Sequence, residues 1–161
     1  MSSQVIEAEY KEVLPGTVIS AVLPQQVDYI WEKIWLFVQR CCKRSNGRHN
    51  LQTVRDQIKN NEINLWIVIN TEDDAIIGFG TTTIVSYATG MRMLEVVHLG
   101  GSKIDEWVDE GWKILEKWAK ENGCHGLQAI GRPGLAHVTT RKDTKWNQKE
   151  LFFEKKFKED E

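Results

Sequence analysis

The stretch MLEVVHLGGSKIDEW, Met93–Trp107, changes its hydrophobic rhythm halfway. In its first half side chains alternate, which puts Met93, Glu95 and Val97 on one face of a strand and Leu94, Val96 and His98 on the other. Gly100, Gly101 and Ser102 break the run. Beyond them Ile104, Trp107, Val108, Gly111, Ile114, Leu115, Trp118 and Ala119 recur at helical spacing. Ser102 and Asp105 read as a capping box at the helix start, and Asn122-Gly123 as its stop. Strand, glycine turn and helix start are the parts from which many folds build a phosphate site.

Next comes GLQAIG at 126–131, a short strand reached from a helix that itself followed a strand. That order predicts a β-α-β crossover with MRMLEVVHL and GLQAIG parallel. Upstream, LWIVIN at 65–70, the turn TEDD and AIIGFGTTTIVSY at 75–87 make a hairpin, and ATG at 88–90 turns into MRMLEVVHL, which completes an antiparallel meander. GTVISAVLP predicts the first strand. Val27, Ile30, Trp31, Ile34, Trp35 and Val38 predict a helix over 25–42. After the basic loop KRSNGRHN, Asn50 caps a second helix carrying Leu51, Val54 and Ile58. Downstream, RPGLAHVTTRKD predicts a short helix and ELFFEKKF at 150–157 a last strand. The fold class is α+β: one domain over 1–161 with a mixed, mostly antiparallel sheet flanked by helices.

Composition narrows the function classes. With 41% hydrophobic and 27% charged residues the chain fits neither a disordered segment nor a membrane span. A net charge of -2 gives no global attraction to nucleic acid, so any such contact falls to a local patch such as KRSNGRH at 43–49. Cys41 and Cys42 are adjacent and Cys124 stands alone, a pattern of neither a disulfide framework nor a zinc site, and the natural setting is a reducing cytoplasm. His49, His98, His125 and His137 lack metal spacing. The N-terminus has no signal-peptide pattern. Of the seven tryptophans, most fall at helical spacing and read as core anchors.

The order of elements from Val18 to Phe157 resembles the acyl-CoA N-acyltransferase (GNAT) superfamily. NLWIVIN, IIGFGTTTIVSY, LEVVHLGG and WAKENGCHGLQAIGRPG are, within it, similar to small phage-encoded acetyltransferase-like proteins, some of them virion-associated. The resemblance implies acetyl-CoA as acyl donor and an amine as acceptor, with a homodimer as a common arrangement. It also implies that the strand-to-helix loop holds the coenzyme's pyrophosphate through backbone N–H groups. On VHLGGS this role falls to Leu99, Gly100, Gly101 and Ser102, with Arg132, Lys103 or Arg141 supplying positive charge; Val97 stands where the superfamily has Gln or Arg.

Acyl transfer to an amine needs a base, donors for the thioester oxygen and an acid for the leaving thiolate. Glu95, a carboxylate between apolar neighbours, is the base candidate; the alternative is a structural ion pair, for instance with Arg92. His98 relays a proton to Glu95, binds substrate, or is structural. The N–H of Leu99 or Gly100 is the oxyanion donor. The resemblance implies a tyrosine acid after the strand that follows the long helix, but no tyrosine lies beyond Tyr87, which leaves His137 or Cys124 as stand-ins. Val97 and the acids Asp105, Glu106 and Asp109 at the helix start support a second reading, a non-catalytic protein that binds a virion or host protein.

Overall fold

A computed structural model describes residues 11–14, 16–131, 146–150 and 152–157. The chain divides into two compact units, Met1–Ala129 and Ile130–Glu161. All regular structure among the described residues lies in the first: β1 (Lys11–Leu14), β2 (Thr17–Val22), a 3-10 turn (Pro24–Gln26), α1 (Val27–Lys43), α2 (Leu51–Lys59), β3 (Asn64–Asn70), β4 (Ile76–Ser86), β5 (Arg92–Gly101), α3 (Ile104–Glu121) and β6 (Gly126–Ala129). The six strands lie side by side in chain order. Every pairing is antiparallel except β5 with β6, which is parallel as the crossover through α3 requires.

Alternation along β3 assigns the two faces. Leu65 and Ile67 join Val27, Trp31, Ile34, Val38, Val54 and Ile58 in the core under α1 and α2. Trp66 and Val68 point the other way, toward α3, where the Trp66 and Trp118 rings meet edge to face at 5.8 Å. Trp66 Nε1 donates to Thr82 Oγ1 at 3.0 Å, so the buried indole leaves no polar atom unpaired. Asn50 caps α2: its side chain accepts from the Thr53 N–H at 2.9 Å, and Thr53 Oγ1 accepts from the Asn50 N–H at 3.0 Å.

Four expectations change. The short strand β1 pairs antiparallel with β2, with Gly16 at φ +81 just before β2; its four residues were too few to show a period. Ser102 does not cap α3. The β4–β5 ladder runs on through Gly101, and Ser102 gives both its N–H (2.8 Å) and its Oγ (3.3 Å) to Ile77 O, so its oxygen is drawn to β4. Lys103, left-handed at φ 55, precedes the helix with no side-chain cap. Residues 152–157 form no strand: Phe153 and Phe157 are exposed, and adjacent Phe152 and Phe153 cannot share one face of a strand. The short helix expected within 132–145 lies outside the described residues.

The fourth change concerns faces. Thr81 pairs with His98 but Thr82 with Val96, so Val97 is the extra residue of a β-bulge. Thr83 pairs with Glu95. Thr81 and Thr83 share a face, and so therefore do His98 and Glu95, against the simple alternation that had separated them. The shared face is that of α1 and α2, since Val97 packs on their core and His98 meets His49 of the α1–α2 loop, ring centroids 4.6 Å apart.

Candidate active site

β5 and β6 run together for four rungs, from Met93 with Gly126 to Val96 with Ala129. Among the described residues β5 then continues to Gly101 paired with β4 alone, and its pairing with β6 ends at Val96. Val96 and Ala129 form the last shared rung, and Glu95 and Gln128 the one before it. Gln128 Nε2 donates to Glu95 Oε1 at 3.1 Å and to the Tyr87 hydroxyl at 2.9 Å. The Tyr87 hydroxyl in turn lies 3.2 Å from Gln128 Oε1 as a donor. Among the described residues Glu95 has no ion pair. Arg92 sends its guanidinium instead to Ser86 Oγ (3.3 Å) and the Asn122 carbonyl (3.2 Å). One carboxylate oxygen is therefore held by a neutral amide, and among the described residues no hydrogen bond engages the other.

His98 is 5% exposed. Its Nδ1 lies 2.6 Å from Thr81 Oγ1, and among the described residues its buried Nε2 has no hydrogen-bond partner. Burial, with His49 adding a smaller like-charge effect, pushes its pKa down to about 4. The imidazole is neutral at pH 7. His49 is lowered as well, first by burial and then by Arg48 beside it.

The glycine turn is explained first by packing. Gly101 sits at φ +135, and a Cβ there would collide with the Gly78 Cα and the Ile77 carbonyl of β4. A Cβ on Gly100 would stand 3.0 Å from both Cys41 Sγ and a Phe79 ring carbon. Trp107 Nε1 donates to the Ser102 carbonyl at 2.9 Å and ties the first turn of α3 to the strand end. Ser102 thus has its N–H, hydroxyl and carbonyl engaged inside the protein. Leu99 accepts the Cys41 S–H on its carbonyl at 3.4 Å. Of the first N–H groups of α3, that of Glu106 goes to the Lys103 carbonyl at 2.9 Å, and Asp105 and Glu106 put two acids in the same turn. Arg132, Arg141 and His137 lie outside the described residues. Cys124 is half-buried, and its burial raises the thiol pKa against the opposing pull of Arg92.

Between the sheet and α3 lies an apolar cavity of about 40 Å³, bordered by Val96, Leu99, Trp107, Gly111 and Trp112. Among the described residues no group of three or more His, Cys, Asp or Glu is placed to hold a metal ion. None of their helices is long and apolar enough to cross a membrane.

Gln128 and Tyr87 are the members of the site that the sequence did not single out. Their signal was the β-α-β crossover: once β5 and β6 are parallel neighbours, a polar residue two positions into GLQAIG faces the strand that carries Glu95.

No protein-family model and no curated protein matches the chain. Solved structures do match, and they show a GNAT-like α+β fold. An aminoglycoside acetyltransferase from an uncultured soil metagenomic sample, solved with trehalose, is 12% identical at a TM-score of 0.60, over 89% of this chain and 99% of that one. The ribosomal-protein-alanine N-acetyltransferase of Brucella melitensis biovar Abortus 2308 is 12% identical at 0.58, over 86% and 99%. A predicted acetyltransferase of Clostridium acetobutylicum solved with acetyl-CoA is 11% identical at 0.59, over 86% and 96%. These structural neighbours are GNAT-family acetyltransferases, and the likeness is one of fold.

Proposed function

We propose that the protein is an acetyl-CoA-dependent N-acyltransferase that moves an acyl group from the thioester to an amine. The observation that carries this reading is Glu95, held by Gln128 on the last rung but one before the β5–β6 pairing ends. Acetyl-CoA supplies a thioester carbonyl to that end of the pairing. As the amine nitrogen bonds to the carbonyl carbon, Glu95 takes the amine proton on its free oxygen. The oxyanion takes hydrogen bonds from N–H groups of the β5 end, those of Leu99 or Gly100 and that of Val97, which the bulge leaves out of the ladder. The carbon–sulfur bond then breaks and the thiolate gains one proton, for which Tyr87 is the hydroxyl joined to Glu95 through Gln128. The strand end from Leu99 to Gly101, the start of α3 after Ser102, and Arg132 are the parts assigned to the coenzyme phosphates. His98 is a structural or substrate-positioning group, neutral and buried.

A second reading, a non-catalytic protein that keeps the fold for binding, is favoured by one observation: Ser102 spends its N–H on Ile77 O while acids occupy the first turn of α3. A virion-assembly or host-protein partner, as in phage-encoded proteins, belongs to this reading. Calorimetric titration with acetyl-CoA separates the two. Micromolar binding, with thermal stabilisation that grows as the logarithm of ligand concentration, supports the enzyme. No heat and no thermal shift at millimolar acetyl-CoA removes it and directs the search to protein partners. Gly100→Glu is a poor probe of this turn, because Cys41 and Phe79 leave no room for the new side chain.

A further inference from the structure

Two absent side chains make the apolar cavity under α3. Trp66, Gly80 and Leu99 pair in one row across β3, β4 and β5, so the middle of that row has no side chain to raise toward the helix. Gly111 of α3 borders the same space, and a Cβ on it would meet nothing nearer than Ile19 Cδ1 at 3.9 Å. An empty apolar space costs stability in proportion to its volume, and a glycine inside a helix is less stable there than alanine. One methyl group at Gly111 would lessen both costs. Packing alone therefore does not account for a space of about 40 Å³ at this place.

The cavity reaches the strand end that carries the candidate base. Val96, on its border, forms with Ala129 the last rung that β5 shares with β6 among the described residues, and Leu99, also on its border, lies three residues further along β5. Leu99 and Gly111 are half-buried. The opposite face of the same strand end is covered: Val97 packs on the core under α1 and α2, His49 rests edge-on against His98, and Cys41 stands over Gly100. That covered face is the one with Glu95. A thioester carbonyl at the end of the β5–β6 pairing thus has Glu95 toward one face and unfilled apolar space toward the other. Among the described residues none on the border of that space is charged, and the Thr82 hydroxyl there accepts from Trp66 Nε1.

We infer that this cavity receives the acyl chain of the donor and that the donor it fits best is a short, straight, uncharged acyl thioester, propionyl-CoA or butyryl-CoA, with acetyl-CoA accepted but bound less tightly. The inference rests on the acyl-transfer reading of Glu95. A space of this size holds about three water-sized groups, which matches the ethyl or propyl group that such a donor carries beyond its carbonyl. The acetyl methyl leaves most of it empty. Longer chains outgrow it, and a terminal carboxylate finds no partner inside it. Gly111 sets the chain length, because any side chain there takes up the same space.

The test titrates the full chain by calorimetry with acetyl-, propionyl-, butyryl-, hexanoyl- and succinyl-CoA, in the native protein, in Gly111→Ala and in Gly111→Leu, with far-UV spectra and melting curves as folding checks. In the native protein affinity should rise about fourfold for each methylene added from acetyl to butyryl, the value of burying one, and fall again at hexanoyl. Succinyl-CoA, similar in length to butyryl-CoA but ending in a carboxylate, should bind about tenfold more weakly than it or worse. The ratio of butyryl to acetyl affinity should shrink in Gly111→Ala and vanish in Gly111→Leu; if the leucine variant does not fold, the native series and the alanine variant decide. Acetyl-CoA bound as tightly as butyryl-CoA by the native protein overturns the inference and leaves the acyl-transfer reading standing. So does a ratio unchanged in the folded variants, which places the chain elsewhere, and so does an affinity that keeps rising through hexanoyl-CoA, which is general apolar adhesion. No heat with any of these thioesters at millimolar concentration overturns the acyl-transfer reading and the inference with it.

Discussion

Gln128 donates its side-chain amide to Glu95 Oε1 at 3.1 Å from the neighbouring parallel strand, and the same amide reaches the Tyr87 hydroxyl at the end of β4. Gln128 touches the carboxylate directly and Tyr87 is joined to it only through Gln128, and both are uncharged groups. A base needs this arrangement more than a structural ion pair does, since a cation would compete with the incoming proton. Glu95→Gln keeps the shape and a hydrogen-bond acceptor for Gln128 but cannot take a proton. Turnover with acetyl-CoA and a responsive amine should fall roughly 10²- to 10⁴-fold, with acetyl-CoA affinity by calorimetry unchanged. Unaltered turnover with a lower melting temperature would assign Glu95 a purely structural role.

Titration of His98 gives a pH-dependent stability with a definite sign. Its pKa is about 4 in the folded protein against 6.5 when unfolded, because burial disfavours the imidazolium. Between those values the unfolded chain binds more protons, so stability rises with pH: it is present in full above pH 6.5 and drains away as pH falls toward 4. The difference corresponds to about 3 kcal/mol at the low end. Denaturant unfolding at pH 7 and at pH 4.5 should show this loss, and His98→Gln should remove most of the slope. His49, also lowered, acts in the same direction. A slope unchanged in His98→Gln would place the titration elsewhere.

Local rhythm was enough for α1, α3 and β5, each of which buries one side against an apolar partner, whereas β3 and β4, buried on both faces, were legible as β-branched runs bounded by turns. The parallel placement of β6 followed from chain order alone. What the sequence withheld depends on partners. The bulge at Val97 exists only in register with Thr81 and Thr82, so counting by twos along β5 put Glu95 and His98 on opposite faces. Ser102 fits a cap motif, yet its oxygen goes to Ile77, a residue 25 positions away. Gln128 became part of the site only through the strand beside it. Glycines were legible as a turn and ambiguous in purpose: phosphate approach and strand packing both ask for a missing Cβ, and at Gly101 the backbone of β4 makes the second demand directly.

That demand can be measured by comparing two glycines with positive φ. Gly101→Ala must fit a Cβ into the backbone of Ile77 and Gly78 at φ +135. Gly123→Ala, at φ +73 after α3, meets nothing within 4 Å. The second should lose about 1 kcal/mol, the ordinary strain of a left-handed alanine. The first should lose several times that, on the order of 3–5 kcal/mol, through separation of β4 from β5. Chemical denaturation of both variants under one set of conditions checks the ratio. Equal losses would mean that the close approach of the two strands relaxes freely, and the glycine pair would then need another reason.

Gly111 is the opposite case, a glycine whose replacement should help. It stands in the interior of α3 and borders the apolar cavity of about 40 Å³ under that helix. A Cβ there would meet Ile19 Cδ1 at 3.9 Å, an ordinary van der Waals contact. Alanine in place of an interior helical glycine is worth about 1 kcal/mol in backbone entropy, and the methyl group adds apolar contact without displacing a neighbour. Gly111→Ala should therefore raise the melting temperature by about 2–4 °C. Measured beside acetyl-CoA affinity, the variant also reports on the cavity. A gain in stability with affinity unchanged makes the space a packing defect. A gain accompanied by weaker acetyl-CoA binding makes it room that the acyl donor uses, since Val96 and Leu99 border the same space from the strand that carries Glu95.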